Sequence, residues 1–130
     1  MGELPEARAL QENVLAIRRQ VLGEGHPDTL QSTNNLATTL WQMGELPEAR
    51  TLQEKVLAIR RRVLGEAHPD TLISLNNLAL TLYDLVELPG AQSLMEQAVT
   101  TLCRVLGEDH PNTITVKQNL TIIIAAQKPG

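Results

Sequence analysis

His26-Pro27, His68-Pro69 and His110-Pro111 recur at intervals of 42 residues. Imidazole is the side chain best suited to ligate a metal or to move a proton near neutral pH. A zinc ion, however, takes its ligands at about 2 Å. Groups repeated once per packed helix pair stand about 10 Å or more apart, so the three rings cannot converge on one ion. They are read as turn residues beside proline, and no metal or cofactor is expected. Cys103 is the one cysteine, which rules out a disulfide framework or a multi-cysteine metal site. It follows the expected core position Leu102 and is read as inert. Arg18-Arg19, Arg60-Arg61-Arg62 and Arg104 fall at the ends of predicted helices, where cations suit the helix dipole, and are read as a solvated face. There is no nucleophile–base constellation, phosphate loop or carboxylate pair. The chain is expected not to be an enzyme.

The residues left with something to do are amides. Asn34-Asn35, Asn76-Asn77 and Asn119 sit inside helical patterns, where asparagine is a poor helix former. They either bond a neighbouring helix or face a ligand. Gln31, Asn35, Thr38 and Gln42 are spaced by four, three and four, which lines them up as one stripe on a helix. The corresponding stripes are Ile73, Asn77, Leu80, Asp84 and Thr115, Asn119, Ile122, Ala126. The units starting at Gly2 and Gly44 differ at ten of 42 aligned positions, six of them in this helix. Three of the six lie on the stripe, and the Trp41/Tyr83 exchange flanks it. Drift after duplication or a ligand-facing surface would both produce this.

Helices position these residues. Gly-Glu-x-His-Pro occurs at Gly23, Gly65 and Gly107, a period of 42 residues, and periods of this size mark helical repeat arrays. Ala7, Leu10, Val14, Ile17 and Val21 give an amphipathic helix from Leu4 to Leu22, closed by Gly23. His26-Pro27-Asp28 opens the next helix, with Leu30, Leu36, Ala37, Leu40 and Met43 on its core side and Gly44 at its end. Pro47–Leu64 copies the first helix through Ala49, Leu52, Val56, Ile59 and Val63. The pattern runs on through His68–Leu85, Pro89–Leu106 and Pro111 to about Ala126. Thr121-Ile122-Ile123-Ile124 looks strand-like by propensity, but its repeat register assigns it to a helix.

The chain of 130 residues is 42% hydrophobic and 20% charged, with net charge −4 and pI about 5.3. That balance fits a soluble domain and argues against nucleic acid. With 2% aromatic residues and no Phe, the core must be made of Leu, Val, Ile and Ala. No apolar run approaches membrane-spanning length, the N-terminus lacks a signal-peptide core, and Glu6 stands where a myristoylation signal needs Ser or Thr. A cytoplasmic protein with no membrane partner is the expectation.

Leu36-Ala37-x-x-Leu40-x-x-x-Gly44 followed by Ala49 and Val56-Leu57 has the spacing of small residues found in tetratricopeptide repeats. With Asn-Asn-Leu-Ala at Asn34 and Asn76, Glu-Ala-Arg-x-Leu-Gln-Glu at Glu48, Val-Leu-Ala-Ile-Arg-Arg at Val56 and Leu-Gly-Glu-x-His-Pro-Asp-Thr at Leu22 and Leu64, the chain resembles the tetratricopeptide domain of kinesin light chains. The resemblance covers essentially the whole chain. It implies an all-α, right-handed solenoid of six antiparallel helices in B-A-B-A-B-A order. The expected domain is 1–130, in units 2–43, 44–85 and 86–127, a segment of a longer array. It also implies a peptide-binding scaffold whose A helices line a concave groove faced by Asn35, Asn77 and Asn119. The expected surface adds Gln31, Thr38, Trp41, Gln42, Ile73, Leu80, Tyr83, Asp84 and Ile122. Family members that hold acidic peptides place Lys or Arg here. This stripe carries Asp84 and has Lys117 off it, so a neutral or apolar segment is the expected partner. The alternative is a structural spacer that self-associates end to end, since neither the first helix nor the last, with Leu120, Ile122, Ile123 and Ile124, has a neighbour to shield it.

Overall fold

The computed structural model describes residues 3–127, which form six α-helices and no β-strand: α1 (Glu3–Leu22), α2 (Pro27–Gln42), α3 (Leu46–Leu64), α4 (Pro69–Asp84), α5 (Leu88–Val105) and α6 (Pro111–Gln127). The repeat period placed every one of these boundaries to within one residue. The β-branched run Thr121–Ile124 is helical, because its register in the array outweighs its local preference.

The repeated turns explain why the helices start and stop where they do. His26 has an extended backbone, and its Nδ1 accepts the N–H of Asp28 at 3.1 Å. His68 accepts the N–H of Asp70 at 3.0 Å and His110 that of Asn112 at 3.1 Å. Each histidine therefore satisfies one of the donors orphaned at a helix start, as Asn or Asp does elsewhere. Proline at the next position gives up no hydrogen bond there. At the other end of α2, the Glu45 N–H reaches back to Leu40 O at 2.8 Å while Gly44 takes φ +81°. This is the left-handed helix terminator that glycine adopts at little cost. After α4 the same bond joins Glu87 N–H to Leu82 O at 2.8 Å, but the left-handed residue is Val86, at φ +61°.

Two compact units divide inside α3, between Ile59 and Arg60. In the first, Leu15, Leu36, Leu40 and Ala49 form one buried cluster with Leu52 against it, and Leu30, Val56 and Ile59 form a second. Ala37 and Ala49 are both 0% exposed, as small residues must be where helices cross closely. Arg8 on α1 reaches Glu45 at 3.4 Å and Glu48 at 3.3 Å. These pairs are partly solvated and contribute little individually. Of the core positions expected on α1, Leu10, Val14, Ile17 and Val21 are 43–73% exposed, and Leu15 is the buried residue of that helix.

The second unit buries Leu75, Leu78, Ala79 and Leu82 of α4 with Ala91, Met95, Ala98 and Leu102 of α5 and Ile123 of α6. Three expectations are corrected by burial. Val63, expected in the core, is exposed, and Met43 is only half-buried. Ile123, expected on an unshielded face, is 4% exposed, because α5 covers the side of α6 on which it lies. No described helix is long and apolar enough to cross a membrane.

Candidate functional site

The expected stripe residues are at the surface. Gln31, Asn35, Thr38, Trp41 and Gln42 on α2 are exposed, as are Ile73, Leu80 and Asp84 on α4 and Thr115 and Ile122 on α6. Asn77, Tyr83 and Asn119 are half-buried. On α2 the Gln31 Nε2 donates to Asn35 Oδ1 at 2.9 Å and Thr38 donates to Asn34 O at 3.1 Å, so the stripe is internally hydrogen-bonded. Asn35 also edges a cavity of about 250 Å³ between α1 and α2 that contains the charged Arg18.

Within the second unit α4 and α6 bring their stripes together. Asn119 Nδ2 donates to Asn76 Oδ1 at 3.3 Å, tying α6 to α4. Of the two roles open to the asparagines, a bond to a neighbouring helix is the one Asn119 makes here. On either side of this bridge the surface opens. Towards the C-terminal ends of the helices, Leu80, Tyr83, Asn119 and Ile122 line a cavity of about 120 Å³ with Met95 and Ile123 at its base. Towards the N-terminal ends, Ile73 and Thr115 edge a larger cavity of about 460 Å³ lined by residues of α4, α5 and α6. The two stripes thus carry exposed Ile73 (51%), Leu80 (44%) and Ile122 (55%) beside two apolar openings.

The sequence reading missed a polar pair. The Arg60 Nη1 donates to Asp70 O at 3.2 Å and to Ser74 Oγ at 2.8 Å, and Arg60 is only 6% exposed. Burial lowers its guanidinium pKa, an effect opposed by the Asp70 carboxylate. Arg18 makes the same two bonds, to Asp28 O at 3.1 Å and Ser32 Oγ at 2.7 Å. The solvated-face reading is therefore wrong for Arg60 and incomplete for the half-buried Arg18. The signal was the Ser fourteen residues downstream of both arginines, on the following helix. Among the described residues no group of three or more His, Cys, Asp or Glu could hold a metal ion.

A family model described as Tetratricopeptide repeat matches residues 1–28, 29–70 and 71–112. No curated protein matches the chain. Among solved structures, two crystal structures of the Podosopora anserina putative kinesin light chain with nearly identical TPR-like repeats each superpose with a TM-score of 0.87 at 32% identity. Each alignment covers 96% of this chain and 59% of that one. The crystal structure of BtubC (BKLC) from P. vanneervenii aligns with a TM-score of 0.81 at 25% identity, over 96% of this chain and 49% of that one. This chain therefore spans less than two thirds of each of these structures.

Proposed function

The chain belongs to the tetratricopeptide repeat family, whose repeats mediate protein–protein interaction, and from that premise we propose that it is a non-catalytic scaffold binding a neutral or apolar polypeptide segment along the stripes of its A helices. The observation that carries this reading is the pairing of α4 and α6, where Leu80, Tyr83 and Ile122 surround an apolar opening beside the Asn76–Asn119 bridge. Tyr83 and Ile122 act as anchors for a partner side chain, and buried aromatic or aliphatic anchors dominate binding energy at interfaces of this kind. Amides along the stripes bond the partner's backbone. On α2 the same roles fall to Gln31, Asn35, Thr38, Trp41 and Gln42, and on α4 also to Ile73, Asn77 and Asp84. The partner meets one carboxylate on these stripes and no cation, so an acidic segment is disfavoured.

The test is selection of binding peptides from a random displayed library, followed by titration against Leu80→Asp/Ile122→Asp. Both residues are exposed, so the variant keeps its helical circular dichroism. At least tenfold weaker binding is expected, and unchanged affinity would refute the placement.

A second reading is favoured by one specific comparison. Val56 and Ile59 of α3 are buried against Leu30 of α2. Their equivalents one repeat earlier, Val14 and Ile17, are 43% and 62% exposed, and the equivalent of Leu30 on α6, Ile114, is 43% exposed. Two copies of the chain then restore the Leu30-type contact when α6 of one meets α1 of the other. Such contact is head to tail and propagates unless its rotation closes. Light scattering over a concentration series should show association, and Ile17→Glu or Ile114→Glu should abolish it. An equimolar mixture of those two variants retains one intact pair of faces and should stop at a heterodimer. Monomeric wild type, or association of either variant alone, would overturn it.

A further inference from the structure

The third repeat has lost a set of polar and bulky groups that the first two keep, and a cavity stands where they were. In the first unit, Leu30 is 5% exposed beneath Val56 and Ile59. One repeat on, Leu72 faces Ala98 and Thr101 at the equivalent positions and is only half-buried. The Arg60–Ser74 pair, and Arg18–Ser32 before it, becomes Leu102 and Val116, while the acid represented by Asp28 and Asp70 becomes Asn112. The cation, its hydroxyl partner and the nearby carboxylate are exchanged together, which leaves no unpaired charge behind. The resulting cavity of about 460 Å³ lies between α4, α5 and α6, and none of the residues lining it is charged.

We infer that this cavity, formed around Leu72, Thr101, Leu102 and Val116, is a subsite for an uncharged branched aliphatic side chain, Leu or Ile, presented by a polypeptide partner. The inference rests on the reading of α4 and α6 as a recognition surface and names the side chain that surface selects. The chemistry follows from the lining. A charged side chain entering it would lose water and find no counter-charge, which is strongly unfavourable. A branched aliphatic group replaces the methyl groups that Val56 and Ile59 supply over Leu30. The source is a polypeptide because the cavity opens onto the stripe. Ile73 and Thr115 stand at its edge, so a chain lying along that stripe can turn one side chain inward. Asn76 and Asn112 at the same edge offer amide groups for its backbone.

The experiment is a methyl-detected NMR titration of the full chain with N-acetyl-leucinamide, using N-acetyl-lysinamide and 1-hexanol as comparison probes. Saturating shifts at Leu72, Leu102 and Val116 are expected with the leucine probe and none with the lysine probe. Thr101→Ile puts back the side chain of the second repeat and should weaken the leucine probe at least tenfold without lowering thermal stability. Leu102→Arg/Val116→Ser/Asn112→Asp restores the cation, hydroxyl and carboxylate that the first two repeats carry together, and should also abolish binding. Neither variant alters Leu80 or Ile122, so loss of the C-terminal anchor and loss of this subsite are read separately. Three results would overturn the assignment: no saturable shifts, equal binding by wild type and both variants, or tighter binding of 1-hexanol than of the leucine probe, which would make the cavity a site for free lipophiles.

Discussion

Val86 offers a prediction whose size can be worked from the backbone alone. It occupies the position after α4 that Gly44 occupies after α2, and both turns close with the same 2.8 Å bond from the following glutamate to a leucine carbonyl. Gly44 takes φ +81° without strain, whereas Val86 is held at φ +61°. A side chain in the left-handed region crowds its own backbone and costs about 1–2 kcal/mol, with a β-branched residue at the upper end. Val86 is 75% exposed, so removing its side chain sacrifices little burial. Against this gain stands the extra freedom that glycine has in the unfolded chain, about 0.4–1 kcal/mol. Val86→Gly should therefore stabilise the protein by about 0.5–1.5 kcal/mol. In a chain of 130 residues that is a rise of about 2–6 °C in melting midpoint. The mirror experiment is Gly44→Val. A Cβ built at Gly44 meets nothing within 4 Å, so its cost is conformational and should be of similar size with opposite sign. Thermal melts followed by circular dichroism at 222 nm measure both. A Val86→Gly variant no more stable than wild type, alongside a destabilised Gly44→Val, would refute the claim that the two turns are energetically equivalent.

Other consequences are measurable by urea unfolding. His68→Ala removes the acceptor for the Asp70 N–H and should cost about 0.5–2 kcal/mol, while His68→Asn, also a good cap, should recover most of it. Arg60→Leu leaves Ser74 Oγ and Asp70 O without their donor and should cost about 1–3 kcal/mol. Arg60→Leu/Ser74→Val copies the Leu102–Val116 arrangement and should be more stable than the single variant. Ala37→Leu overpacks a fully buried position at about 1–3 kcal/mol, and Ala79→Leu should cost less, since Ala79 borders the cavity of about 120 Å³.

The helices were legible because their signals are local and repeated. A Gly after α1, α2, α3 and α5, His-Pro at the start of α2, α4 and α6, Leu-Pro at the start of the others and apolar positions at helical spacing mark these boundaries without knowledge of the neighbours. Exposure along the stripes was legible for the same reason, since Gln31, Asn35, Ile73 and Ile122 lie off the apolar face. What each amide does was not, because the Asn119–Asn76 bond depends on how closely α4 and α6 approach. Burial of Arg60 was hidden by its chemistry. An arginine has an apolar stem and a charged head, and a sequence position marks the residue without saying which part is covered. The exposed α1 positions failed for a different reason. Amphipathicity shows which face is suited to burial, while burial itself requires a helix to lie against it.

The repeats act as one another's controls, and this is how the cavity becomes visible. Leu30, Leu72 and Ile114 are equivalent positions on α2, α4 and α6, and their exposure runs from 5% through half-buried to 43%. The backbone at the start of each helix is the same, capped by the same histidine, so local structure does not account for the trend. What changes is the pair that packs on top: Val56 and Ile59 for the first, Ala98 and Thr101 for the second, and no described residues for the third. An isolated Ala98 or Thr101 would pass as an ordinary small core residue. Set beside Val56 and Ile59, with Arg60, Asp70 and Ser74 replaced at the same time, the two substitutions mark a place where the packing of the array was exchanged for an open apolar surface.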